Sequence, residues 1–168
     1  MWILNWLGLG GAKEDEAGTI RRIGAALEDL RKKDPVEASR LACFAYLLGR
    51  VALADHVLEP AETEQMRKML GRHSEMDAGQ IDLVVEIAAS EGEQPTRNDE
   101  VIRIFADSSS EAQKLALVDC LFAVAAADKD IGEPEIKEIR HILDGLGLGG
   151  AALERVQRRH ERFLVIEG

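Results

Sequence analysis

Apolar residues recur along this chain at helical spacing. Ile20, Ile23, Leu27 and Leu30 are separated by 3, 4 and 3 positions, which places them on one face of a helix over 19–33. Asp34-Pro35-Val36-Glu37 then supplies a helix start, with Asp as N-cap, Pro in the first helical position and Glu in the third. A long helix follows through Leu41, Phe44, Ala45, Leu48, Val51 and Ala52 to about residue 54. A third helix is expected over 60–72 with Met66, Met69 and Leu70 inward, and Asp77 with Gln80, at capping-box spacing, opens a fourth bearing Ile81, Val84, Val85 and Ala88. The stretch 92–98, with Pro95, breaks the pattern.

The same order then returns. Val101, Ile102 and Phe105 mark a short helix, and Ser108 with Glu111 has the spacing of another capping box. A long helix over 111–127 carries Leu115, Val118, Leu121, Phe122 and Ala125, a further helix over 134–143 carries Ile136, Ile139 and Leu143, the glycine-rich 145–150 is a turn, and a last helix covers 151–164. No stretch alternates with period two for long enough to form a strand. The expected fold is all-α, a single-domain bundle of about eight helices.

One short string occurs twice. Ala54-Asp55-His56-Val57-Leu58-Glu59-Pro60-Ala61-Glu62 and Ala127-Asp128-Lys129-Asp130-Ile131-Gly132-Glu133-Pro134-Glu135 share Ala-Asp, an aliphatic residue and Glu, and both acidic positions are offset by 73. At that offset Leu48 falls on Leu121, Ala52 on Ala125, Arg67 on Arg140 and Leu70 on Leu143. Apolar matches arise between any two amphipathic helices, whereas a matched Asp, Glu and Arg points to an internal repeat. Residues 1–18 read as an apolar tip and linker, and 19–168 as the helical domain, with halves of about 19–92 and 93–168 too short to bury separate cores and therefore packed with pseudo-twofold symmetry.

Composition narrows the function. With 31 acidic against 21 basic residues the net charge is −10, a field that repels nucleic acid and favours cations or basic protein surfaces. Cys43 and Cys120 lie in apolar helical runs without metal-type spacing, as expected of buried reduced thiols. The tip from Trp2 to Leu9 is far short of the roughly 20 apolar residues that span a bilayer, and it lacks a basic leader region. A cytoplasmic protein is expected. Trp2 and Trp6 leave two readings of the tip: packing on its own domain or an oligomeric neighbour, or peripheral contact with the inner membrane.

The doubled turn is where chemistry concentrates. Asp55 and Asp128 follow the C-terminal ends of long helices, where the helix dipole disfavours an anion by about 0.3–1 kcal/mol. Glu62 and Glu135 fall in the first turn of the next helix, near its third and second positions respectively, where an anion is favoured. A cation between Asp and Glu would relieve their repulsion. Oxygen ligands suit Ca²⁺, Mg²⁺ or Mn²⁺ rather than zinc, and Asp130, Glu133 and Glu59 stand close enough in sequence to contribute. The competing reading is structural, with these residues capping helices.

Sharper motifs fail. Counted from Asp128, an EF-hand loop would need Gly where Glu133 stands and Glu where Ile139 stands. Glu138-Ile139-Arg140-His141 fits a di-iron Glu-x-x-His but has no second copy. No nucleophile elbow, P-loop or dinucleotide fingerprint occurs.

The paired Ala-Asp, aliphatic, Glu pattern between helices, twice in an acidic all-α chain, resembles the tellurite-resistance TerB family over about 34–143. The resemblance implies a TerB-like fold, a cytoplasmic protein tied to stress responses and membrane-associated complexes, no enzymatic activity, and an acidic patch for divalent cations onto which Asp55, Glu62, Asp128 and Glu135 map. The apolar tip departs from the family pattern. The expected function is thus a non-enzymatic module that binds a divalent cation, a protein partner or both. A metal-independent adaptor or oligomerisation domain is the first alternative. A metal-dependent hydrolase is the second, disfavoured because neither nucleophile nor general base is evident at the turns. Direct capture of tellurite is also disfavoured, since an oxyanion would have to enter a cluster of carboxylates.

Overall fold

The computed structural model describes residue 7 and residues 18–52, 60–74, 76–90, 98–126, 133–148 and 150–160. These residues form eight helices: α1 (Gly18–Lys33), α2 (Pro35–Ala52), α3 (Pro60–His73), α4 (Ala78–Ser90), α5 (Asn98–Ser108), α6 (Glu111–Ala125), α7 (Glu133–Leu146) and α8 (Gly150–His160). No strand occurs among them. The all-α reading is correct.

Two helices form the axis of the domain. In α2 nine consecutive residues, from Leu41 to Gly49, are buried, and in α6 the seven from Leu117 to Ala123 are. A helix buried on every side lies inside a bundle rather than on its surface. Accordingly α2 packs against α1, α4, α5, α6 and α7, while α6 packs against α2, α3, α7 and α8. Of the periodic positions expected to face inward, Leu27, Leu41, Phe44, Leu48, Met66, Leu70, Val84, Val118, Leu121 and Ile139 are buried, while Leu30, Met69, Ile81, Leu115 and Ile136 are half-buried. The side chains of Ile20 and Ile23 lie outside the described residues. Cys43, Tyr46 and Leu47 join the core at 0% exposure. One apolar cluster runs from Leu27 through Leu48, Val85, Phe105 and Leu121 to Val156, and Leu7 of the tip lies half-buried against it. Both cysteines are free and buried.

Capping sets the helix starts, with one departure from expectation. Asp34 Oδ1 accepts from the Glu37 amide at 3.1 Å. Gln80 and Asp77 close a reciprocal box, at 2.8 Å for the Gln80 amide to Asp77 Oδ1 and 3.0 Å for the Asp77 amide to Gln80 Oε1. The expected Ser108–Glu111 box does not form. Ser108 is the last residue of α5, and its hydroxyl donates back to the Ile104 carbonyl at 2.8 Å. The cap of α6 is Ser110, extended at φ −70° and ψ 165°, boxed with Gln113. The Ser108 hydroxyl is already satisfied one turn back, and Ser110, with its extended backbone, takes the capping role.

The glycine-rich turn also begins later than expected. Helix α7 continues through Gly145 to Leu146 and stops at Gly147, whose φ of 60° is the left-handed conformation that ends helices. Helix α8 starts at Gly150, and its expected extension to residue 164 reaches beyond the described residues.

Candidate functional site

The helices on either side of the two acidic turns keep a common spacing. Helix α2 ends at Ala52 and α3 begins at Pro60, while α6 ends at Ala125 and α7 begins at Glu133. Each of these bounds is displaced by the 73 positions that separate Asp55 from Asp128. Glu62 and Glu135 consequently both occupy the third position of their helices, which corrects the one-position difference inferred from the prolines. At that position a carboxylate faces the positive end of the helix dipole.

Asp55, Asp128 and Asp130, together with Glu59, Trp2 and Trp6, lie outside the described residues, as do the side chains of Glu62 and Glu135. Glu133 is exposed at the first position of α7. Among the described residues no three His, Cys, Asp or Glu gather as metal ligands. The Glu-x-x-His pair has divided partners. Glu138 faces Arg50 of α2 at 3.5 Å, and His141 Nε2 meets Asp99 of α5 at 2.7 Å on an exposed surface.

A second feature has no counterpart in the sequence reading. A cleft of about 680 Å³ opens where the first turns of α2, α4 and α6 meet, bordered by the end of α3 and by α8. The third residues of the three helices, Glu37, Gln80 and Gln113, line it, and Gln80 Nε2 donates to Glu37 Oε1 at 3.3 Å. Its apolar wall includes Leu41, Phe44, Phe105 and Val156, all buried. Phe44 and Phe105 meet edge-on with ring centroids 6.2 Å apart and planes at 65°, a favoured aromatic geometry.

Among the described residues, four arginines and two acids line the same cleft. Arg40 is ion-paired with Glu37, and its Nε donates to the Ser108 carbonyl at 3.2 Å, which ties the start of α2 to the end of α5. Asp119, only 5% exposed in the middle of α6, accepts from Arg159 Nη1 of α8 at 3.0 Å. A carboxylate so placed needs a cation or strong donors, because burying it unpaired costs several kcal/mol (~3–5). Arg72 and Arg155 are exposed and make no ion pair with any described residue. Beside Asp119, burial pushes the Cys120 thiol upward, with the neighbouring carboxylate adding to it, and burial alone pushes the Cys43 thiol up to about 12. Both thiols are therefore protonated and unreactive as nucleophiles at neutral pH.

Of these residues Asp119 was open to detection. A lone carboxylate inside Ala116-Leu117-Val118-Asp119-Cys120-Leu121-Phe122 falls in a helix with no polar face, and such a group requires a partner. The arginines carried no such signal, since Arg159 lies 40 positions from Asp119 and only the packing of α8 on α6 joins them.

Eight helices around one shared core, with no helix among the described residues long and apolar enough to cross a membrane, define a small all-helical domain. The family model described as tellurite resistance protein TerB matches residues 40–158, from the second turn of α2 into α8. The chain belongs to the TerB family. No curated protein and no solved structure matches it.

Proposed function

We propose that the chain is a non-enzymatic TerB-family module whose two acidic turns bind a divalent cation, with a protein partner as the downstream target. The observation that carries this reading is the identical framing of the turns. Both begin after the last turn of a buried axial helix and end with a glutamate in the third position of the next helix. The repeated carboxylate-bearing string thus lies between helix bounds that keep the same 73-residue offset, which supports two equivalent cation sites. Asp55 with Glu62, and Asp128 with Glu135, would supply the main oxygen ligands, and Asp130 and Glu133 further charge on the second turn. Such a set suits Ca²⁺, Mg²⁺ or Mn²⁺. A role in a tellurite or related stress response would then be indirect, with a metal-loaded surface recruiting a partner.

Calorimetric titration with Ca²⁺ and Mg²⁺ tests the reading. Saturable binding is expected for the wild type, weakened at least tenfold in Asp55→Asn and Asp128→Asn. Absence of binding at millimolar metal would overturn it.

The adaptor reading retains one supporting observation, that Asp34 and Asp77 serve as helix caps elsewhere in this chain. A partner captured equally well with and without chelator would favour it. Leu7, half-buried against the core, supports packing of the tip on its own domain at that residue, whereas Trp2 and Trp6 keep peripheral membrane contact or self-association as proposals for the tip.

A further inference from the structure

We propose that the cleft between α2, α4, α6 and α8 is a binding site for an acyl anion: a carboxylate or phosphate head held by Arg72 and Arg155, with its hydrocarbon body against Met76, Leu115 and Ala116. This site is separate from the acidic turns and does not depend on metal binding there.

Charge is the first argument. The chain as a whole is strongly acidic, yet the described residues lining this cleft include four arginines against two acids. The two acids are already matched, Glu37 by Arg40 and Asp119 by Arg159. Two guanidinium groups remain at the rim without a carboxylate among the described residues. The distributed net charge does not cancel them, because at physiological ionic strength charges beyond about 8 Å are largely screened. Guanidinium binds carboxylate and phosphate through paired N–H donors, so an anionic head is the group that this rim selects.

The second argument is the wall. The half-buried Met76, Leu115 and Ala116 give the cleft an accessible apolar lining, backed by Leu41, Phe44 and Phe105, which are buried. A fully hydrated inorganic anion would leave this surface unused. The volume of about 680 Å³ lies within the range of roughly 300–1,000 Å³ typical of pockets that enclose organic ligands. Cations at the mouth and hydrocarbon within match an amphiphile with one charged end.

The acyl anion has two sources, a free acid or a lipid in a bilayer. Three titrations of the full-length protein separate them, using laurate below its micellar concentration, dodecanol at the same concentrations, and phosphatidylglycerol vesicles in a sedimentation assay. Expected results are saturable one-to-one binding of laurate, at least tenfold weaker binding of dodecanol, and amide shifts in nuclear magnetic resonance spectra centred on Gln80 and Gln113. Arg72→Ala/Arg155→Ala, which removes two exposed side chains, should weaken laurate at least tenfold while leaving the thermal midpoint unchanged. Vesicle binding that laurate displaces and the double variant loses would support the site with lipid as its source. Failure to bind laurate, equal affinity for laurate and dodecanol, or undiminished affinity in the double variant would each overturn the proposal.

Discussion

Gly145→Ala should destabilise the protein, although in an exposed helical position this exchange ordinarily does the reverse. Gly145 lies within α7 and is exposed, so conformational entropy alone predicts a gain of up to about 1 kcal/mol for alanine. Against that gain stands Ile102 of α5. A Cβ built on Gly145 would lie 2.5 Å from Ile102 Cγ2, with Cβ and Cδ1 of the same side chain at 3.5 Å. Carbon atoms pack comfortably at about 3.5–4.0 Å, so one helix must retreat by about 1 Å or Ile102 must turn. Ile102 is β-branched and only 2% exposed, which closes the second route. Overpacking of this kind costs about 1–3 kcal/mol, leaving a net loss of about 1 kcal/mol and at most about 2.

Urea unfolding followed by circular dichroism resolves such a change, given slopes of about 1–3 kcal/mol per molar for small proteins. The decisive measurement is a double-mutant cycle with Ile102→Ala. Once the obstructing methyl group is gone, Gly145→Ala should become neutral or stabilising, with a coupling of about 1 kcal/mol or more. If Gly145→Ala raises stability equally in both backgrounds, the close approach of α5 and α7 is wrong.

Two further outcomes concern stability. Ser110→Ala should cost about 1 kcal/mol through loss of the α6 cap, and Ser108→Ala should cost less; chemical denaturation of both variants checks the order, and a larger loss at Ser108 would restore the cap inferred from spacing. The buried thiols impose an alkaline limit. Burial raises Cys43 from 9.0 to about 12 and raises Cys120 as well, so between these values the folded chain holds thiol protons that the unfolded chain releases. Their stabilising contribution is complete below pH 9 and is lost as the pH rises, by up to about 1.4 kcal/mol per pH unit for each thiol. Denaturation midpoints measured across this window should fall steeply for the wild type and less steeply for Cys43→Ala/Cys120→Ala; parallel curves would refute the assignment.

Most of the helical framework was legible from local rules. Asp34-Pro35-Val36-Glu37 and Asp77 with Gln80 specify helix starts through bonds that span three residues, and both are present as read. The reading failed where two local solutions competed. Ser108 and Ser110 each precede a plausible cap partner, and the choice was made by the backbone at the end of α5, where Arg40 also engages the Ser108 carbonyl. Gly145 was read as a turn because glycine usually interrupts a helix, yet it stands inside α7 where a neighbouring helix leaves no room for a Cβ.

Candidate sites divide in the same way. The repeated acidic string was visible because Asp55, Glu62, Asp128 and Glu135 recur at a constant offset within the chain itself. The arginine-rimmed cleft was not, because Arg72, Arg155 and Arg159 carry no periodicity and acquire meaning only from what stands opposite them.

By itself the sequence determined the helical class, the order of the helices and most of their starts, and it displays the repeated acidic string, since each depends on interactions between residues a few positions apart or on direct repetition. Tertiary structure decided that α2 and α6 lie buried on all sides, that Asp119 meets Arg159, and that the first turns of three helices enclose a cleft. Those features arise from contacts between segments distant in the chain, and no local pattern encodes which surfaces the packed helices bring face to face.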